Sequence, residues 1–103
     1  MIVIPAVDIR NSQCVQLVQG KTGTEKYYGN PVEVAKGWEE KSVQLLHIID
    51  LDAAFGEGNN LGVVKMIKGS VDLPVQFGGG IRSAEYAQEV LDAGIDRIIL
   101  GTA

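Results

Sequence analysis

Thiols are scarce in this sequence. Its only cysteine is Cys14, so the chain cannot form an internal disulfide. Cys14 lies where apolar and polar residues roughly alternate, as in a half-buried strand, and neither a histidine nor a basic cluster stands beside it. We therefore expect a buried or half-buried structural thiol rather than a catalytic nucleophile.

Clustered positive charge, long apolar runs and a leader pattern are also missing. Lys and Arg total 9 against 13 Asp and Glu, a net charge of −4, and their scatter along the chain argues against a nucleic-acid surface. A small anionic ligand is still compatible, because backbone N–H groups can hold phosphate. Uncharged runs fall well short of the roughly 20 apolar residues of a membrane span. Met1 leads into apolar residues without a basic segment, so we expect a cytoplasmic protein without a membrane partner.

Short apolar strands alternate with helical segments along the 103 residues. Strands are predicted at residues 2–7, 43–50, 74–77 and 96–100, and helices from residue 31 and at 61–68 and 84–93, with caps at Asn30, Asn59 or Asn60, and Ser83. This order predicts a single α/β domain, residues 1–103, with four parallel strands and three intervening helices. No glycine-rich turn follows the first strand, which argues against a Rossmann domain.

A run of three glycines, residues 78–80, joins the third predicted strand to the last helix. Glycine has no Cβ, so a ligand can approach the main chain there, and the following helix directs free N–H groups at the loop. That combination favours a phosphate site. A tight turn between strand and helix explains the glycines equally well, and the residues alone leave both interpretations open.

Aspartates end the first two predicted strands, at Asp8 and Asp50. The carboxyl ends of parallel strands are where α/β barrels and open sheets place their chemistry. The alternative for each aspartate is to cap a turn in the following loop. His47 is either a core residue of the second strand or, if its face of the strand points into a barrel, a site residue.

The stretch between the first strand and the first helix is polar and rich in turn residues. It predicts a small hairpin followed by a mobile loop through residues 21–24, which is either a lid or a plain connection. Arg10, Tyr27 and Tyr28 are its candidate ligand-facing groups.

Four strand-end motifs together carry a family resemblance: PAVD at 5–8, HIIDLD at 47–52, GGGIRS at 78–83 and GTA at 101–103. The whole chain resembles the amino-terminal half of the phosphoribosylformimino-5-aminoimidazole carboxamide ribotide isomerases of histidine biosynthesis. The resemblance implies half of a (β/α)8 TIM barrel of the ribulose-phosphate-binding type. It also implies an Amadori rearrangement of an N-glycosyl aminoaldose to an aminoketose, on a substrate with a phosphate at each end and without metal or organic cofactor.

The same resemblance assigns roles by position. Asp8 matches the family's general base, and His47, Asp50 and Arg82 match substrate-binding positions. One of the family's two phosphate sites maps onto Gly79, Gly80, Gly101 and Thr102.

The sequence departs from the family pattern in length. The family's barrel has eight strands, and this sequence stops after the fourth, before the family's general acid and its second phosphate site. Half a barrel would leave two open sheet edges and an apolar inner face. We expect either a truncated chain, inactive alone, or a half-barrel that pairs with a second copy or with a carboxyl-terminal half-barrel.

Two other functions stay open on the sequence. The cyclase subunit of imidazole glycerol phosphate synthase shares the glycine loop and the strand-end aspartates, but its pattern has Cys-Leu-Asp and a nearby lysine where this chain has PAVD followed by Ile9 and Arg10. A half-barrel that binds phosphate or self-assembles without turnover is the other. The sequence does not decide whether a tryptophan-pathway substrate is also accepted.

Overall fold

The computed structural model describes residues 4–16 and 26–100. Strands and helices alternate in these ranges after an initial hairpin. The strands are β1 (Ala6–Arg10), β2 (Gln13–Gln16), β3 (Lys26–Gly29), β4 (Leu46–Asp50), β5 (Val75–Gly78) and β6 (Arg97–Ile99). The helices are α1 (Pro31–Glu40), α2 (Leu51–Ala54), α3 (Leu61–Ser70) and α4 (Ala84–Asp92).

The strands form one sheet in the order β3-β2-β1-β4-β5-β6. Strands β1, β4, β5 and β6 are parallel, whereas β2 and β3 run antiparallel beside β1. The four parallel strands and the hairpin confirm the predicted α/β fold, which is half of a (β/α)8 barrel. The predicted loop at residues 21–24 and the phosphate-site residues Gly101 and Thr102 lie outside the described residues.

The hairpin extends the sheet beyond β1, so that the two edge strands expected of half a barrel are β3 and β6. Strand β2 pairs with the carboxyl end of β1, through Ile9 with Cys14 and Arg10 with Gln13. The turn between them has positive φ at Asn11 and Ser12, as in the two-residue turns that match the twist of antiparallel strands. This pairing covers part of the β1 edge.

Two of the predicted helix caps form as expected. The Asn30 side chain accepts hydrogen bonds from the N–H groups of Val32 (2.9 Å) and Glu33 (3.3 Å), and that of Ser83 accepts from Tyr86 N–H (3.1 Å). At α3 the Asn59 side chain accepts from Leu61 N–H (3.1 Å), while the Asn60 side chain makes no capping bond. Each bond satisfies an N–H group that the helix cannot pair internally.

The hydrophobic core lies between the sheet and α1, α3 and α4. Alternate strand residues face it, which leaves their neighbours on the opposite face of the sheet. The fully buried members are Val7, Ile9, Leu46, Ile48, Val75 and Phe77 from the parallel strands, and Ala35, Val64, Ile67 and Val90 from the helices. We call the opposite face the inner face; it carries Ala6, Asp8, His47, Ile49, Gln76, Gly78, Arg97 and Ile99.

Two local predictions were wrong. The first strand runs through Asp8 to Arg10 instead of ending before the aspartate, because Asp8 and Ile9 pair with Ile49 and Asp50 of β4. The second predicted strand leads directly into the short helix α2, where we expected a loop. Asp50 caps that helix by accepting from Ala53 N–H (3.1 Å).

The inner face, which we expected to be apolar, is mixed. Its middle carries Asp8, His47 and Gln76 beside the apolar residues Ala6, Ile49 and Ile99, of which Ile99 is 41% exposed. None of the described helices is long and apolar enough to cross a membrane.

Candidate functional site

Strand pairing arranges the inner face in transverse rows. Asp8 is paired with Ile49, Ile49 with Gly78, and Gly78 with Ile99, so these residues form one row towards the carboxyl ends of the strands. One step below, His47 is paired with Ala6 on one side and Gln76 on the other. These two adjacent rows thus place an aspartate and a histidine from neighbouring strands on the same face.

Asp8 is a carboxylate that the described fold leaves incompletely satisfied. The residue is half-buried, and its Oδ1 atom is buried without a hydrogen-bond partner in the described ranges. Burial raises the pKa of Asp8 above its ordinary value, and the charge of nearby His47 opposes this only in part. A carboxylate with a raised pKa is a stronger base, which suits it to accept a proton from carbon.

His47 is held on the same face by a side-chain contact. Its Nδ1 atom lies 2.9 Å from Nε2 of Gln76. Burial lowers the pKa of His47 below its ordinary value, while Asp8 acts in the opposite direction. The ring is therefore neutral at neutral pH, and it can donate one hydrogen bond and accept another.

Gly78 opens space beside the ring. A Cβ added to Gly78 would lie 3.7 Å from Cβ of Ile99 and 3.9 Å from Cε1 of His47. A side chain at this position would occupy the inner face next to His47 and Ile99. The glycine keeps the row accessible to a ligand.

Asp50, predicted to bind substrate, has other partners in the structure. It is fully buried, and its two oxygens accept bonds from Ala53 N–H, from Asn60 N–H (2.6 Å) and from Asn60 Nδ2 (2.8 Å). These bonds fix the loop between β4 and α3. Substrate binding by Asp50 stays a prediction, and its geometry favours the structural role.

Asn60 connects Asp50 to a wider buried network. Its Nδ2 also donates to Asp52 (2.9 Å), and its Oδ1 accepts from Ser12 N–H (3.0 Å). Asp52 in turn accepts from Asn11 N–H (2.8 Å). The network ties the β1–β2 turn to the loop after β4, and sequence reasoning considered Asn60 only as a helix cap.

Arg10, a candidate ligand-facing group, is engaged with the protein. Its NH2 group lies 2.5 Å from Glu57, its Nε lies 3.8 Å from Asp52, and its guanidinium stacks 4.9 Å from the centre of the Phe55 ring. Tyr27 and Tyr28 lie in β3, and their side chains are outside the described atoms.

The glycine loop is packed against the backbone that follows β4. A Cβ on Gly79 would lie 2.5 Å from the carbonyl oxygen of Asp50, and one on Gly80 would overlap the backbone of Ala53. Both glycines have positive φ, 113° and 72°. The tight-turn interpretation is therefore sufficient for these two glycines, and phosphate binding by them stays a prediction.

Arg82 braces the same junction. Its guanidinium donates to the carbonyl oxygens of Ala53 (3.0 Å) and Ala54 (2.9 Å). It lines an open cleft of about 250 Å³ with Gly80 and Tyr86. Burial, with Asp50 and Glu89, raises the pKa of Tyr86 to about 12, so its hydroxyl stays protonated.

Cys14 is a buried thiol, as predicted. Burial, with the charge of Asp8, raises its pKa to about 11. The thiolate needed for nucleophilic attack is therefore scarce at neutral pH. Among the residues that the structure describes, no group of three or more His, Cys, Asp and Glu side chains is placed to hold a metal ion.

Comparison with known proteins decides the family. The profile of the family described as histidine biosynthesis protein matches residues 2–103. The chain belongs to this family. Its predicted resemblance to the family's isomerases is confirmed by curated relatives named 1-(5-phosphoribosyl)-5-((5-phosphoribosylamino)methylideneamino) imidazole-4-carboxamide isomerase.

The similarity covers nearly all of this chain and less than half of each relative. The relative from Methanosphaera stadtmanae is 54% identical over 103 residues, 99% of this chain and 44% of its own length. The relative from Methanocaldococcus jannaschii is 52% identical with the same coverage, and that from Oceanobacillus iheyensis is 48% identical over 100% of this chain and 44% of its own.

Within this member of the histidine biosynthesis family, the predicted site residues fall into two groups. Asp8 and His47 meet on the inner face, whereas Asp50, Gly79, Gly80 and Arg82 meet at the junction of the β4 and β5 loops. Gln76, which contacts His47, was not predicted. The sequence signal that could have placed it on the inner face was the alternation of polar Gln76 with apolar Val75 and Phe77 on β5.

Proposed function

We propose that this half-barrel supplies the general base and one phosphate site of a sugar-phosphate isomerase of histidine biosynthesis. The reaction is the Amadori rearrangement of an N-glycosyl aminoaldose to an aminoketose. The observation that carries the proposal is Asp8, whose buried Oδ1 atom lacks a partner in the described ranges and whose pKa is raised by burial. The isomerase names of the relatives support it.

The inner face suits the proton transfer of this reaction. After the sugar ring opens, a proton leaves C2, and the carboxylate of Asp8 accepts it. Neutral His47, one residue row below, contributes a hydrogen bond to the substrate. The general acid is expected from the complementary half of the barrel. No metal or organic cofactor is required for either step.

The substrate of this proposal is a small molecule with a phosphate at each end. Gly79 and Gly80, with Gly101 and Thr102, would hold one phosphate through backbone N–H groups, as loops before a helix N-terminus do. The packing of Gly80 against Ala53 fixes the loop in place for that contact. We place the reaction in the cytoplasm.

The partner is a carboxyl-terminal half-barrel. It would pair with the free side of β6 and cover the inner face, where Ile99 is 41% exposed and Arg97 is exposed. The chain spans 44% of the relatives' length, which leaves a segment large enough to provide four further strands.

The test uses this chain fused to the carboxyl-terminal part of the Methanosphaera stadtmanae relative. Asp8→Asn should lower isomerase turnover by about 10²–10⁴-fold, the usual contribution of a general base. Asp72→Asn, a change of the same kind at an exposed loop position, should leave turnover at the parent value. Parent turnover in the Asp8→Asn fusion would exclude Asp8 as the base.

A half-barrel that binds phosphate without turnover is the second candidate, and the glycine loop before the N-terminus of α4 favours it. Inorganic phosphate should then raise the melting temperature of the 103-residue chain, while the fusion shows only background isomerase activity. Turnover of the fusion would rule this candidate out.

A further inference from the structure

Gln76 and His47 are direct neighbours on the inner face. Their Cα atoms are paired between β5 and β4, and Gln76 Nε2 lies 2.9 Å from His47 Nδ1. An amide nitrogen donates hydrogen bonds and has no lone pair to offer. With the amide nitrogen of Gln76 facing the ring, Nδ1 is the acceptor, and the hydrogen of the neutral ring then sits on Nε2.

We propose that Gln76 is a positioning residue that holds His47 in the Nε2–H tautomer, so that His47 donates a hydrogen bond to substrate and leaves proton abstraction to Asp8. The part that concerns substrate rests on the proposed isomerase function. The tautomer assignment rests on the orientation of the Gln76 amide towards the ring and is independent of any substrate.

The surroundings of the two side chains support a fixed ring. Gln76 is flanked on its strand by Val75 and Phe77, both fully buried, so its backbone position is set by the core. With Nδ1 directed at β5, the adjacent Cε1 atom faces the space beside Gly78, at 3.9 Å from where a Cβ would be. Nε2, the next ring atom, has no hydrogen-bond partner in the part of the chain that the structure describes.

The alternative tautomer would be unfavourable in this row. It would leave Nδ1–H against the amide hydrogens of Gln76 and present the lone pair of Nε2 towards a face that also holds the Asp8 carboxylate. Two acceptors would then face the substrate without a donor. The Gln76 contact thus makes His47 the hydrogen-bond donor and leaves Asp8 as the base.

His47 is the only histidine of the sequence, so a chain labelled with ¹⁵N gives one imidazole spin system. Long-range ¹H–¹⁵N correlation spectra of the 103-residue chain, recorded above the pH where the ring titrates, report the tautomer directly. We expect a pyridine-like Nδ1 resonance, shifted by an accepted hydrogen bond, and a pyrrole-like Nε2 resonance. A pyrrole-like Nδ1 in the parent chain would overturn the proposal.

Two substitutions test the role of Gln76. In Gln76→Glu the carboxylate can only accept, so Nδ1 should become pyrrole-like, either in the other tautomer or in the imidazolium. In Gln76→Met, which keeps the approximate volume but removes the amide, the Nδ1 resonance should move to the position of a nitrogen without a hydrogen bond.

Gln44→Glu is the matched control, because it adds the same charge at an exposed position before β4 and should leave both ring resonances at parent values. A parent-like Nδ1 resonance in folded Gln76→Glu would overturn the proposal, and if that variant unfolds, an unchanged resonance in Gln76→Met would do so. Substrate is absent from these measurements. A failed isomerase assay therefore refutes the proposed function and leaves the tautomer assignment standing. An unexpected tautomer refutes the role of Gln76 and leaves the proposed function standing.

Discussion

Asp8 and Asp50 lie on neighbouring parallel strands, and each follows a short apolar run in the sequence. Asp50 is fully buried and accepts three hydrogen bonds from Ala53 and Asn60. Asp8 is half-buried, and its Oδ1 atom has no partner in the described ranges. The same residue type, inside β1 and at the end of β4, is thus unsatisfied in one case and fully hydrogen-bonded in the other.

The difference separates a structural carboxylate from a chemical one. Asp50 holds a loop through its three hydrogen bonds, and these bonds offset the free-energy cost of burying its carboxylate. Asp8 keeps an unsatisfied oxygen and a raised pKa, which weaken the fold and strengthen the base. Substitutions should therefore affect the stability of the two sites in opposite directions.

The largest effect is expected from Asp50→Ala. It leaves three donors without their charged acceptor, and each such bond contributes roughly 1.5–3 kcal/mol, so the free energy of unfolding should fall by at least about 4 kcal/mol. Urea unfolding followed by circular dichroism measures the loss. Asp8→Ala is the control, and equal losses in the two variants would contradict the comparison.

A smaller loss is expected from Gly80→Ala at the edge of the same junction. The added Cβ would overlap the Ala53 backbone at a φ of 72°, so strain and overpacking together should cost about 2–4 kcal/mol. Gly62→Ala, in helix α3 with open space around its Cβ position, should instead stabilise the chain by about 0.5–1 kcal/mol. Loss of phosphate binding in Gly80→Ala can be interpreted only if the variant remains folded. A Gly80→Ala midpoint at or above that of the parent would show that the loop can move away from α2.

Asp8→Asn should stabilise the chain at neutral pH, by a gain on the order of 1 kcal/mol, because it removes a partly buried charge that lacks a partner. The folded pKa of Asp8 is raised, so the penalty of its charge is present above that pKa and disappears as the pH falls below the unfolded value. Melting temperatures of parent and variant should accordingly differ at pH 7 and converge in acid. A gain that persists in acid would point to packing instead of charge.

The smallest effect is expected at Asp96, an exposed carboxylate with donors. Hydrogen bonds from Lys68 Nζ (2.8 Å) and Val75 N–H (2.8 Å) hold the pKa of Asp96 below its ordinary value. Its contribution is therefore present above the ordinary pKa and is lost as the pH falls through the lowered one. Asp96→Asn should cost less than about 1 kcal/mol at neutral pH, because solvent screens an exposed pair. Added salt should narrow the difference in urea midpoints between parent and variant. A loss of stability as large as that of Asp50→Ala would contradict the view that burial sets the contribution of each carboxylate.

Much of the fold could be predicted because it depends on local pattern. The apolar runs predicted the parallel strands, and Asn30 and Ser83 marked two helix starts that the structure confirms. The end of β1 was misplaced because its last residues are held by pairing with β2 and β4, which local sequence does not report. Helix α2 was missed because four residues are too few for a periodic signal.

The sequence by itself determined the order of the four parallel strands and the three longer helices, the family, and the candidate residues Asp8 and His47, because motifs and periodicity are properties of the chain. Only the tertiary structure decided which aspartate is satisfied and which is not, since two of the three donors to Asp50 belong to Asn60, ten residues away. It also decided that Gly79 and Gly80 pack against the loop after β4 and that Gln76 contacts His47. These relations depend on the register between neighbouring strands, and register is fixed by the packing of the whole core.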